Sequence, residues 1–152
     1  MRQKLSLKAR ALRYLTLREY SRPELIRKLG PYAESEDELE SVLSWLLKCG
    51  YLSDQRFADS LVHRMQNRYG NQRILYELTQ HDLDPDLLAE CRTSLSESES
   101  ERAIYLLQRK FASQEVTPEL KAKMYRFLAQ RGFSSNLVQR AIKNWIAENH
   151  PE

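Results

Sequence analysis

The side chains best equipped for binding chemistry are the 16 arginines and eight lysines. Guanidinium and ammonium groups only donate hydrogen bonds, and the planar guanidinium fork suits phosphate or carboxylate. Arg22, Arg27, Lys28, Arg64, Arg68 and Arg73 form one candidate contact set, and Arg109, Lys110, Lys121, Lys123 and Arg126 a second. A solvated helix face is the competing reading for each. Tyr14, Tyr51, Tyr69, Tyr76 and Tyr105 have the rings to stack on exposed bases. Their competing role is to complete small cores between helices with the hydroxyl at the edge. Groups for covalent or metal chemistry are sparse. Asp59 and His63 stand four residues apart, but zinc needs three or four ligands and no further Cys/His cluster accompanies them. Cys49 and Cys91 are expected as buried small residues. There is no phosphate-cradling Gly loop and no Gly-x-Ser-x-Gly elbow. The expectation is therefore no catalytic residue, no metal and no cofactor.

The charge alternates along the chain. Residues 1–28 hold nine basic side chains and two acidic ones, and residues 34–40 hold five acids. Residues 82–101 hold seven acids and one Arg, and residues 102–140 eight bases and two acids. The acids at 34–40 and 82–86 fall at expected helix starts, where the macrodipole favours them. The net charge of +3 over 152 residues is low for a protein whose sole partner is DNA. Basic zones that met in space would suit nucleic acid or an acidic protein. No apolar run approaches the roughly 20 residues of a membrane span, and MRQKLSLKAR is not a secretory signal. A cytoplasmic protein is expected.

The elements that must position these residues are all helices. Ser21-Arg22-Pro23-Glu24 reads as a capping box with Tyr20 and Leu25 as its apolar staple. Ser53-Asp54, Asp84-Pro85, Thr117-Pro118 and Ser134 repeat that start grammar, while Gly30, Gly50 and Gly132 are placed to end helices in the left-handed conformation. Apolar stripes at i, i+3, i+4 and i+7 run through Leu39–Leu47, Phe57–Met65 and Leu137–Ile146, and place Trp45 and Trp145 in the core. The pattern predicts about nine helices, at 6–19, 22–29, 36–48, 54–68, 71–80, 85–94, 98–112, 118–131 and 135–148. Ser94–Glu101 reads either as a hinge or as a polar cap and first turn.

An internal repeat orders these helices. LTQHDLDPDLLAEC from Leu78 superposes without gaps on LAQRGFSSNLVQRA from Leu128, and RPELIRKL from Arg22 matches NQRILYEL from Asn71. Three tandem three-helix repeats follow, at 1–50, 51–95 and 96–152. Units this small must cover one another, which predicts an elongated, curved all-α array and, since tandem units bury each other's faces, a monomer.

Several of these residues carry a resemblance. Ala11-Leu12-Arg13-Tyr14-Leu15 and Ser21-Arg22-Pro23-Glu24-Leu25, then Gly50-Tyr51-Leu52-Ser53-Asp54-Gln55-Arg56-Phe57-Ala58, then Gly70, Arg73, Ile74, Glu77 and Leu78, resemble in order and spacing the RecX family, small regulators of the bacterial recombinase RecA. One departure is Asp82, where the family often has Gly, so a less sharply set helix end is expected there. The resemblance implies a non-enzymatic regulator that binds the RecA–DNA filament, in its groove or at its end. It would modulate assembly, disassembly, ATP turnover and strand exchange, and hence recombination and SOS-type repair. Single- or double-stranded DNA is a further implied partner. The alternative is a helical DNA-binding regulator acting on nucleic acid alone.

Overall fold

Side-chain caps and apolar stripes set the helices, as the computed structural model shows for residues 4–150; the residues at the two ends, Arg2 of the basic N-terminal stretch among them, lie outside the described part. Eight α-helices occupy the described residues: α1 (Leu7–Leu17), α2 (Arg22–Leu29), α3 (Glu36–Lys48), α4 (Asp54–Met65), α5 (Asn71–Thr79), α6 (Pro85–Phe111), α7 (Pro118–Gln130) and α8 (Ser135–Asn149). Among them there is no strand. The Ser21 capping box is complete: the Glu24 N–H donates to Ser21 Oγ, and the Ser21 N–H donates to Glu24 Oε1 at 3.0 Å. Ser53, Thr117 and Ser134 accept from the third residue of their helices, and Ser6 and Ser35 do the same for α1 and α3.

Helix ends follow the expected chemistry at two glycines and depart from it at the third. Gly50 and Gly132 hold φ of 80° and 92°. After each, the same backbone bond closes the helix, Tyr51 N–H to Leu46 O at 2.9 Å and Phe133 N–H to Leu128 O at 3.2 Å. Gly30 instead stays right-handed and opens a short 3₁₀ turn, Gly30–Tyr32, with Pro31 at its start. Asp82 takes φ of 52°, in the left-handed region that its repeat partner Gly132 also occupies. A short polar side chain tolerates that region where most others do not.

The helices expected at 85–94 and 98–112 are one helix. Neither a hinge nor a cap interrupts Ser94–Glu101, because the stretch contains no Gly or Pro and its buried face runs through it. Leu87, Cys91 and Leu95 are buried in its first half, and Arg102, Ala103, Leu106, Leu107 and Phe111 in its second. Ser98 bonds back to the Leu95 carbonyl and receives Arg102 Nε at 3.0 Å, so a polar layer replaces the apolar one in mid-helix.

The chain divides into two compact units. Unit one takes the chain through Leu61 with Leu78–Pro85. Its core gathers Leu7, Ala11, Tyr20, Leu25, Leu29, Val42, Leu43, Leu46 and Leu52. Here the Gly50–Ala58 motif does structural work. Leu52, Phe57 and Ala58 are buried, Phe57 packs on the His81 ring at 4.6 Å, and Arg56 donates to the Gly50 and Tyr51 carbonyls and to Glu19. Trp45 is half-buried rather than core, held between Lys8 and the exposed Tyr51, and Cys49 is exposed because it sits at the α3 terminus. Unit two takes Val62–Glu77 and the chain from Asp86 onward. Its core joins Leu106, Leu107, Phe111, Leu120, Met124, Leu128, Phe133, Leu137, Val138, Ile142 and Trp145. Trp145 is fully buried and donates its indole N–H to Gln108 Oε1 at 2.9 Å.

Two substitutions probe these assignments. Trp145→Ala empties the centre of the unit-two core and should cost about 3–5 kcal/mol in urea unfolding. Asp82→Gly relieves the left-handed strain and should leave stability unchanged or raise it by up to about 1 kcal/mol in the same measurement; a loss above 1 kcal/mol would show that the Asp82 side chain itself holds the turn.

Candidate anion-binding surface

The predicted basic residues are engaged differently in the two units. In unit one, Arg22 is committed to Glu40 at 2.7 Å, while Arg27 and Lys28 are exposed on the last turn of α2, with Lys28 5.7 Å from the Tyr14 ring. The other ion pairs among the described residues, Arg18–Glu24 and Arg56–Glu19, also lie there. Burial pushes the Glu24 carboxyl up, but its bonds to Arg18 and the Ser21 N–H outweigh this and hold it below the usual range. Asp54 moves the other way. Burial and the neighbouring Asp82 and Asp84 carboxylates raise it, against the Asp84 N–H and Arg22.

Unit two differs. Here Arg73, Arg131 and Lys110 have no carboxylate partner among the described residues and lie over aromatic rings instead. Arg73 lies 4.2 Å from the centroid of Tyr69. Arg131 reaches both Tyr69, at 5.8 Å, and Phe127, at 5.1 Å. Lys110 stands 4.4 Å over Phe127, and Phe111 meets Phe127 edge-on at 5.8 Å. The result is a continuous ladder, Arg73–Tyr69–Arg131–Phe127–Lys110. It ends in a groove of about 230 Å³ lined by Lys110, Phe111, Lys123, Arg126, Phe127 and Gln130.

Local sequence explains this placement. Lys123, Arg126, Phe127 and Gln130 recur at three- and four-residue spacing, so they share one face of α7. Lys110 and Phe111 end α6. Tyr69 and Arg73 come from the loop before α5 and from α5, four residues apart. Two glycines bring that loop to the α7–α8 turn. The Gly70 N–H donates to the Arg131 carbonyl at 2.7 Å, and the Gln72 N–H to the Gly132 carbonyl at 3.1 Å. A Cβ on Gly70 would collide with the Gly132 carbonyl, and one on Gly132 would meet Arg73. Arg131 also donates to the Arg68 carbonyl at 3.2 Å.

Beneath the loop lies Arg102, 8% exposed. Its guanidinium donates to the carbonyls of Gln66, Tyr69 and Leu95, to Ser98 Oγ and to Asn71 Oδ1, while Glu99 accepts from the Asn71 N–H at 2.7 Å. Burial lowers the Arg102 pKa from its usual value, and the Glu99 charge opposes this. The donors thus satisfy carbonyls left open where α4 ends.

Of the predicted set, the structure gathers Arg73, Lys110, Lys123 and Arg126, with Arg68 beside them through its carbonyl. It separates Lys121, which lines the α7–α8 groove with Lys143, and Arg109, which donates to the Tyr105 hydroxyl. Arg64 is exposed on the last turn of α4. Arg131, Phe127 and Arg102 were not foreseen. Arg102 had a signal: it stands in register with Leu95 and Leu106 on an apolar stripe. Tyr51, Tyr76 and Tyr105 are exposed and complete no core. Asp59 accepts from Gln55, and no group of three His, Cys, Asp or Glu side chains among the described residues is placed to hold a metal. No helix among them is long and apolar enough to cross a membrane.

Residues 53–91 match the second three-helix domain of RecX, and residues 97–142 match the third. The chain belongs to the RecX family. The regulatory protein RecX of Herbaspirillum seropedicae is 48% identical over 151 residues, covering 99% of this chain and 98% of that one. RecX of Neisseria meningitidis is 38% identical over 149 residues, covering 98% and 97%. The crystal structure of RecX from Lactobacillus salivarius superposes with a TM-score of 0.75 at 21% identity, over 91% of this chain and 94% of that one, which shows the shared all-helical fold. Membership of the RecX family makes this a regulatory protein.

Arg102→Met would leave the Gln66 and Tyr69 carbonyls and Asn71 Oδ1 without this donor, while the Leu95 carbonyl keeps Ser98. The expected loss is at least about 3 kcal/mol in urea unfolding, at about 1–3 kcal/mol for each unsatisfied group.

Proposed function

We propose that the protein regulates a RecA recombinase filament on DNA without chemistry of its own, changing assembly, disassembly and ATP turnover. Full-length similarity to RecX regulators is the observation that carries this reading. The unit-two ladder is its contact surface: a row of unpaired cations can hold an anionic assembly while the helical units supply reach. In this reading three tandem repeats, 1–50, 51–95 and 96–152, form a monomer that works in the cytoplasm. Contacts with several protomers would reinforce one another by effective concentration. The second reading is a DNA-binding regulator acting on nucleic acid alone, which the same cations favour.

ATP hydrolysis by preassembled RecA filaments on single-stranded DNA separates the two. A changed rate at protein far below the RecA concentration is expected, because one molecule at an end or in the groove affects many protomers. A change only at DNA-coating amounts would move the assignment to the second reading. An unchanged rate at every ratio would overturn the first.

A further inference from the structure

We infer that the groove between α7 and α8 docks an amphipathic helix of a partner protein, one whose apolar stripe is flanked on both sides by acidic residues. The groove measures about 480 Å³ and shares no residue with the ladder. Lys121, Ala122 and Tyr125 reach it from one face of α7, while Lys123, Arg126 and Phe127 serve the other face. Its apolar lining is Ala122, Tyr125, Ile142 and Ile146. Ile142 belongs to the core, whereas Tyr125 and Ile146 are only half-buried. The Tyr125 hydroxyl is tied to Ser135 Oγ at 2.9 Å, which fixes the ring as part of the lining.

The fold does not require this apolar surface. The register that sets Leu128 on Leu78 continues unbroken along α8 and α6. It places the buried Trp145 on the buried Leu95, so the core positions agree. Ile142 and Ile146 fall on Arg92 and Ser96, which are polar and exposed. The earlier copy of the repeat is thus built without isoleucine at these two places. Half-buried isoleucine at a place the repeat fills with serine gains most when a partner covers it.

Charge names the partner. Lys121 stands on α7 and Lys143 on α8, both exposed, and no carboxylate lines the groove between them. Neither lysine makes an ion pair among the described residues. An occupant with acids on both flanks answers both lysines, and a basic one is repelled. A nucleic acid strand would answer the lysines but set phosphates against the isoleucines. A helix also suits the lining better than an extended segment, because its backbone groups bond internally and the groove offers few polar atoms.

The test is fluorescence anisotropy of the full chain with labelled peptides of about 18 residues, carrying leucines at i, i+3, i+4 and i+7 and glutamates on both flanks. This peptide is expected to bind about tenfold or more tighter than the same peptide with lysine flanks or a scramble of equal composition. Lys121→Glu with Lys143→Glu should weaken it about tenfold and strengthen the lysine-flanked peptide, at unchanged helicity. Ile146→Ser, which installs the residue found at Ser96, should cost about fivefold. Should that variant lose structure, the exposed lysine pair still decides. Equal affinity for the two flank chemistries would overturn the inference, and so would unchanged binding in the lysine variant or no binding of any peptide. Displacement of the peptide by a single-stranded oligonucleotide, abolished by the lysine substitutions, would give the groove to nucleic acid instead. A dimer in sedimentation that Ile146→Ser dissolves would give it to a second copy of this chain. The proposed function stands or falls separately, on RecA ATP hydrolysis.

Discussion

The close approach of Gly70 to Gly132 is the constraint on which unit two depends. Two backbone hydrogen bonds cross between loops more than sixty residues apart in sequence, and neither loop has room there for a side chain. Backbone groups buried in such an approach must be satisfied on the spot. The loops satisfy each other from above, and Arg102 satisfies the carbonyls of Gln66 and Tyr69 from below. A charged side chain is suited to this, since one guanidinium has five donors and no apolar residue has any. Its burial is costly by itself, and the ring of acceptors offsets that cost.

Charge is managed differently in the two units. In unit one, Arg18, Arg22 and Arg56 answer Glu24, Glu40 and Glu19, so their cations serve the structure. In unit two, Arg73, Arg131 and Lys110 rest on aromatic rings, which hold a cation without neutralising it. The ladder therefore keeps its positive potential. A net charge of only +3 conceals this, because the acids that balance it are placed elsewhere.

The repeat explains why some turns were easier to foresee than others. Asp82 and Gly132 occupy the same place and both hold positive φ, although only one is a glycine. The repeated feature is the backbone conformation and the buried residue after it, Leu83 or Phe133. Gly30 shows the converse, a glycine at a helix end that stays right-handed because the chain continues into a 3₁₀ turn. The continuity of α6 was hidden by composition. Ser and Glu in alternation look like a linker, yet nothing in SLSESESE breaks a helix, and Leu95 and Arg102 on either side are buried.

Local chemistry settled what it could reach. Caps at Ser21, Ser53, Thr117 and Ser134, stripes such as Leu137–Ile146 and the Leu78/Leu128 repeat were legible in the sequence, because each depends on residues within about one turn or on a fixed period. The basic candidates were legible as residue types but not as a site. Arg73, Lys110 and Arg126 belong to three different helices. Whether such residues meet depends on a loop-to-loop approach made between distant segments, and no local pattern records it. Tertiary structure alone decided that Arg131 and Phe127 join them while Arg22 is spent on Glu40 and Lys121 faces another groove, because a side chain's partner is set by the packing of the elements that carry it.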